Sequence, residues 1–293
     1  MPSRHVIRSS RAASLWLLLL LTACLACAPR EKRTASNGLL PGNASALDYL
    51  DLLGLDKRIM ALPRTVDGYS MFLQRHPEAT SLPRLADFKA ETILSLQPGL
   101  VLSDATQSPE TRAYLKRVGI PVLILRPYRS FVDGRHNLEL IAKSLELDAL
   151  PTILALVKKE QELRSLVSDP DRGPRVLPWV YYGEAHWTAG IGTGADYALA
   201  LAGARNVARQ LGLSGHKEIP IEVLLKSDPD ALLVSDPTMA KRLREHPRLK
   251  DLRCLKKANL IQLDPALASC NSPYLIDAAA EIRRQLLALE LLR

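Results

Sequence analysis

FKAETILSLQPGLVLS (88–103) and IPIEVLLKSDPDALLVS (219–235) are two versions of one phrase. Each carries a glutamate, Glu91 or Glu222, at the start of a short run with helical spacing, then a proline, then a run of aliphatic residues. A proline disfavours helical backbone at the residue before it, so helices are expected to end near Pro98 and Pro229. The aliphatic runs that follow have the composition of strands buried on both faces. A helix feeding a buried strand is one half of an α/β unit, and its recurrence predicts two α/β lobes.

The same alternation extends outward from both phrases. In the first half, residues 45–53 have helical spacing and stop at Gly54, 58–62 form a short strand candidate, 110–118 a helix, and 121–125 another buried strand. Between about Phe131 and Val167 strand signals vanish. Leu138, Ile141, Ala142 and Leu145 repeat at helical spacing, as do Leu150, Ile153, Leu154 and Val157, with Pro151 suited to a first turn. SDPDRGP (168–174) breaks that run, after which strands at 176–182, 231–235 and 260–263 alternate with helices at 196–202, 221–226 and 273–291. The predicted fold class is therefore α/β, with two α/β lobes joined by a long rigid backbone helix and a ligand cleft between them. The boundaries are a signal peptide (1–23), a lipid anchor and tether (24–37), an N-terminal lobe (38–130), a helical linker (131–169) and a C-terminal lobe (170–293). Loops at the carboxyl ends of parallel strands are where such sheets bind ligands, and two facing lobes form one cleft.

The N-terminus has a different character. LWLLLLLTACLAC (15–27) is too short to span a bilayer, which takes ~20 apolar residues. Arg4, Arg8 and Arg11 precede it and the small residues Thr22 and Ala23 close it, the pattern of a secretory signal peptide. Leu21-Thr22-Ala23-Cys24 resembles the bacterial lipobox, which implies that Cys24 is lipidated and becomes the first residue of the mature chain. Residues 28–37 are polar and aperiodic and read as a tether. Export to an oxidising compartment would leave Cys254 and Cys270 as the pair available for a disulfide. The formal charge of +8 and 47% apolar content fit a folded body with a solvated basic surface. No nucleic-acid motif is present.

The two opening phrases resemble the "E-x-I-L-x-L-x-P-D-L-V-L" phrases of bacterial ABC-transporter solute-binding proteins of the helical-backbone class, which take up ferric siderophores, cobalamin and haem. LDYLDLLGLDKRIMAL (47–62), LKRVGIPVLIL (115–125) and HWTAGIGTGADYALALAGARNVA (186–208) resemble further segments of that family in the same order. The resemblance covers nearly all of 38–292. It implies a monomer that captures a small chelate ligand on the periplasmic face of a bacterial membrane and delivers it to a permease dimer with its ATPase. No resident cofactor is expected, since the ligand can itself be a metal chelate. Glu91 and Glu222 would each dock an arginine pocket of the permease, although both also suit the first turn of a helix. Ligand-binding candidates are Tyr69, Phe88, Asp104, Arg126, Tyr128, Tyr182, Trp187 and Asn271, all near strand ends, with Trp187 in a slot the family fills with an aromatic residue.

The departures narrow the ligand. Haem-binding members often carry a ligating tyrosine in a "G-Y-x-R" phrase before the first docking glutamate. The corresponding stretch here, Leu85-Ala86-Asp87-Phe88, has none, so haem ranks below a corrinoid or ferric siderophore, with His186 or Tyr69 left as other iron ligands. The six histidines form no short metal-binding motif. A lipoprotein enzyme or a non-transport sensor on the same fold is the alternative, but no nucleophile elbow, P-loop or H-E-x-x-H supports enzymatic chemistry.

Overall fold

The structure, a computed structural model, describes residues 37–67, 70–182, 185–235 and 237–292. The signal peptide with Cys24, the tether up to residue 36, and Tyr69 lie outside the described residues. The N-terminal lobe contains β1 (Leu39–Pro41), α1 (Ala44–Leu52), α2 (Met71–Arg75), α3 (Ala90–Leu96), β2 (Leu100–Asp104), α4 (Pro109–Arg117) and β3 (Val122–Leu125). Its strands form a parallel sheet in the order β1-β2-β3. The expected strand at 58–62 contributes only isolated bridges, Leu39 with Ile59 and Leu62 with Arg84, because a 3-10 turn at Asp56–Arg58 leads directly into it.

The linker is two helices, α5 (Phe131–Leu145) and α6 (Leu150–Ser165), rather than one rod. Glu146 ends α5 in the left-handed region at φ 54°, and Pro151 falls in the first turn of α6, where its missing N–H costs nothing. Beyond them come β4 (Arg175–Pro178), β5 (Val180–Tyr182), β6 (Ala185–Ala189), α7 (Gly194–Ala202), β7 (Arg205–Asn206), α8 (Val207–Gln210), β8 (His216–Glu218), α9 (Ile221–Ser227), β9 (Ala231–Val234), α10 (Pro237–Glu245), α11 (Arg253–Lys256), β10 (Leu260–Gln262), α12 (Pro265–Ser269) and α13 (Leu275–Ala288). The second parallel sheet runs β10-β9-β4-β7. The stretch 176–182, expected as one strand, divides at Trp179: its first half joins this sheet, while β5 turns into a separate antiparallel sheet, β5-β6-β8.

The two opening phrases fold alike in detail. In each, the glutamate is the second residue of a seven-residue helix, α3 or α9. Each helix stops on a residue with positive φ, Gln97 at 50° and Asp228 at 37°, immediately before the proline, and the buried strand begins two residues beyond that proline. Side chains with local hydrogen-bonding power start several other helices, as expected of N-caps: Asn43 accepts from Ala46 N at 2.9 Å, Ser108 from Thr111 N at 3.1 Å and Thr193 from Asp196 N at 3.2 Å.

The lobes do not have independent cores. One cluster of buried side chains runs from Leu39, Leu47 and Leu50 through Leu138 and Ile141 on α5, Ile153 and Leu156 on α6, and Leu199 on α7, to Ile276 and Ile282 on α13. Smaller clusters fill the outer parts of each lobe, one around Ile93, Val101 and Leu115 and one around Trp179, Leu232 and Leu243. Cys254 belongs to the outer C-terminal cluster and Cys270 to the shared one, and both are free, buried thiols. The expected disulfide is therefore not formed: the cysteines sit before and after β10, at its opposite ends, whereas a bridge needs Cα atoms within ~7 Å.

Asn137, fully buried on α5, fixes the linker to the N-terminal lobe. Its Oδ1 accepts from Arg126 N, and its Nδ2 donates to Arg126 O and to the Tyr49 hydroxyl, all at 2.9 Å. Asn137→Leu would take these partners from the buried Tyr49 hydroxyl and from the part-buried N–H and carbonyl of Arg126, at about 1–3 kcal/mol for each group that water does not reach. The expected outcome is a destabilisation of roughly 3 kcal/mol or more in urea unfolding; a change within 0.5 kcal/mol would show that water or relaxation satisfies these groups instead.

Candidate functional site

The carboxyl ends of the two parallel sheets meet across a polar seam. Gln74 Nε2 in α2 donates to Asp264 Oδ1, just beyond β10, at 2.5 Å. Ser45 Oγ donates to Asn271 O at 2.6 Å, and Tyr128 N donates to Asn271 Oδ1 at 2.8 Å. One residue on, Ser272 Oγ donates to Asp48 Oδ2 at 2.8 Å, and the Tyr274 hydroxyl donates to Asp51 Oδ2 at 2.5 Å. Arg75 and His76 close the network on Asp51 at 2.9 and 2.8 Å. The segment 271–274 thus sews the C-terminal lobe to α1, α2 and the loop after β3.

The ligand candidates divide by what this seam does with them. Asn271 lies on the seam itself, its carbonyl and its carboxamide oxygen both engaged in joining the lobes. Tyr128, expected to line the cleft, is corrected to a core residue: it is 1% exposed, with its ring edge-on to Tyr197 at 5.5 Å between centroids. The Tyr197 hydroxyl in turn donates to Glu160 Oε1 on α6 at 2.8 Å. Asp104 holds its own loop. Its Oδ1 accepts from Thr106 N at 2.8 Å and Thr106 Oγ1 at 2.6 Å, and its Oδ2 accepts from Asn43 Nδ2. Phe88 is half-buried and packs so closely over Gly42, at the end of β1, that a Cβ there would lie 2.8 Å from its ring. Arg126 is exposed just after β3, with its main chain held by Asn137.

On the opposite lobe, Trp187 is half-buried in the middle of β6, paired across the antiparallel sheet with Val180 and Glu218. Tyr182 pairs with Ala185 at the hairpin end, and its side chain lies outside the described residues. His186, one position away from Trp187 and so on the other face of the strand, packs at a tilt against Trp179 and meets Tyr181 edge-on, each with centroids 5.0 Å apart. Among the described residues no three His, Cys, Asp or Glu side chains converge on a point that could hold a metal ion, and no helix is long and apolar enough to cross a membrane.

Glu91 and Glu222 are both exposed. A helix that feeds a parallel strand runs antiparallel to it, so the start of the helix lies level with the strand's carboxyl end. Each glutamate therefore lies level with the carboxyl end of the strand its helix feeds.

The protein-family comparison agrees with this architecture. A family model described as periplasmic binding protein matches residues 43–267, and the chain belongs to that family. An uncharacterized ABC transporter substrate-binding lipoprotein, YvrC of Bacillus subtilis, is 24% identical over 253 residues, covering 83% of this chain and 77% of the relative. The periplasmic heme-binding protein RhuT from Roseiflexus sp. RS-1 shares the fold at a TM-score of 0.69 and 23% identity, over 85% of this chain and 99% of that one. The vitamin B12 binding protein BtuF of Vibrio cholerae does so at 0.70 and 16%, over 87% and 98%.

Of the seam residues only Asn271 and Tyr128 stand out in the sequence, as strand-end candidates. Asp48 and Asp51 lie in the family-like segment 47–62 without a role of their own, and only the fold brings them together with His76, Ser272 and Tyr274. Asp48 is 1% exposed and one of its carboxylate oxygens has no partner among the described residues. Burial pushes its pKa up to about 7, against the lowering effect of the Ser272 hydrogen bond. His76 is also raised, chiefly by its hydrogen bond to Asp51. Both shifts have the same sign. A folded-state carboxyl raised above its unfolded value costs stability as pH climbs from about 4 to 7, and a raised histidine loses its contribution as pH rises through its folded value. The protein should therefore be more stable at pH 5 than at pH 8. Asp48→Asn should restore roughly 2–4 kcal/mol at pH 8 and only about a third of that at pH 5. Urea unfolding at both pH values checks this; an equal effect at the two would mean that Asp48 does not titrate between them.

Proposed function

We propose that this chain is the substrate-binding component of an ABC importer. It takes a small metal-chelate ligand, a corrinoid or ferric siderophore in preference to haem, into the interlobe cleft and presents it to a membrane permease with its ATPase. The observation that carries this reading is the equivalence of Glu91 and Glu222. Two exposed carboxylates at matching positions of two lobes suit a partner built from two like halves. Exposed carboxylate–arginine contacts give orientation and steering more than raw affinity, which suits a carrier that must also let go. The protein is read as a binding protein and not an enzyme, without a resident cofactor; any metal arrives with its chelate. Lipidation at Cys24 holds it to the extracytoplasmic face, where a diffusing ligand meets it before the permease.

The ligand-facing residues of this reading are Trp187 and Tyr182 on the C-terminal lobe and Tyr69, Phe88 and Arg126 on the N-terminal lobe. A tryptophan and tyrosines offer flat surfaces to a macrocycle or aromatic chelate, each worth about 1 kcal/mol beyond area burial. Arg126 offers charge to an anionic edge. The seam limits how far the lobes swing, so the ligand enters a cleft that is largely formed beforehand, and little ordering entropy opposes binding.

The test is a titration of the full chain with cyanocobalamin, hemin and a ferric siderophore, followed by absorbance and thermal unfolding. A ligand at a hundredfold its dissociation constant should add ~2.7 kcal/mol to stability. Trp187→Ala should weaken that ligand about fivefold. The double variant Glu91→Arg, Glu222→Arg should bind it as the wild type does and yet lose uptake in cells, because like charges across a docking interface cost several kcal/mol. Indifference to all three ligand classes would remove the chelate reading. Full uptake by the double variant would return both glutamates to the role of helix starters.

A further inference from the structure

Glu91 and Glu222 are equivalent in the backbone but not in their surroundings. Glu222 Oε1 accepts a hydrogen bond from Arg248 Nη2 at 2.8 Å, with both side chains more than half exposed, and this contact holds the Glu222 carboxyl below the usual carboxylate range. Arg248 is held in turn by its backbone N–H, which donates to His246 Nδ1 at 3.2 Å. It belongs to a basic stretch, 241–257, in which other cations have acids of their own. Lys241 pairs with Glu245, Arg253 with Asp228 and Asp230, and Lys256 with Asp251. Arg248, like Arg253, reaches out of its own segment, in its case to the first turn of α9. Glu91 makes no ion pair among the described residues, and its neighbour Lys89 is turned to Asp87 at 2.9 Å.

We infer that Arg248 is an internal latch on the C-terminal docking carboxylate: it offers Glu222 the same guanidinium that a permease arginine would, so that the C-terminal lobe docks only by exchanging one arginine for another. The inference rests on the docking role proposed above and adds an order of events. The N-terminal lobe, whose Glu91 is open, engages first. The C-terminal lobe follows once Arg248 has moved aside. The pair is exposed, and exposed pairs hold weakly, so the latch slows or weakens docking without blocking it. Its release also frees a cation at the interface rim, where it repels the incoming basic pocket until it swings away.

The experiment measures equilibrium binding of the full chain to its permease–ATPase complex in nanodiscs, for wild type, Glu91→Ala, Glu222→Ala, Arg248→Ala and the double variant Glu222→Ala, Arg248→Ala. Thermal unfolding of each variant confirms that it is folded, and Arg248→Gln, which keeps most of the stem, repeats the measurement if the alanine variant is not. The latch predicts that Arg248→Ala tightens binding about two- to fivefold, the range an exposed ion pair is worth. It predicts that this gain disappears when Glu222 is already alanine, and that Glu91→Ala weakens binding more than Glu222→Ala does. If Glu222→Ala weakens binding while Arg248→Ala leaves it unchanged or weakens it too, the latch is wrong and the docking role stands. If Glu91→Ala and Glu222→Ala both bind as wild type, the docking role fails and the latch fails with it.

Discussion

The relation between the two lobes depends on the four residues Asn271–Tyr274 staying against α1. Through them the C-terminal lobe gives Ser272 to Asp48 and Tyr274 to Asp51, and takes Ser45 and the Tyr128 amide onto Asn271. Each such bond is worth only about 1 kcal/mol net. Their effect comes from position: they lie beside a hydrophobic cluster that crosses from one lobe to the other, so that parting the lobes at this edge would expose apolar surface and buried polar groups together. The two lobes are consequently joined along this edge rather than free to move as separate bodies.

That join gives the repeated helix–strand phrase its meaning. Each copy sets a glutamate at the start of a short helix, level with the carboxyl end of its strand. In separate domains the two carboxylates would have no defined relation. With the lobes joined their relative placement is fixed by the shared core. The departure from symmetry is also informative. The N-terminal copy's carboxylate has no ion-pair partner among the described residues, whereas the C-terminal copy has one in Arg248. A repeat can preserve a backbone while its surroundings assign the two copies different tasks.

The seam also explains where residue-level expectation fails. Tyr128 and Asn271 follow strands, as ligand residues do, but the lobes come together at that point, so the tyrosine is enclosed and the asparagine is spent on joining them. Asp104 likewise follows its strand and is consumed by the turn it stabilises. The cysteines fail for a different reason. Their availability in an oxidising compartment is a chemical possibility, but β10 separates them. Trp187 keeps its place in a half-buried strand, while its neighbour His186 is drawn into an aromatic cluster with Trp179 and Tyr181.

The α/β class, the order of most elements, the helix stops at Gln97 and Asp228 and the two helix-start glutamates were legible in the sequence. They follow from local rules: proline after a helix, aliphatic runs for buried strands, 3.6-residue spacing for helices. Tertiary structure alone decided the antiparallel sheet around β6 and the seam that joins Asp48 and Asp51 to Ser272 and Tyr274. Those contacts span more than two hundred residues. No periodicity or motif records which serine will lie against which aspartate. It is settled by how two sheets and their linker helices pack, since a buried carboxyl takes its partner from whatever the packing brings within hydrogen-bond reach.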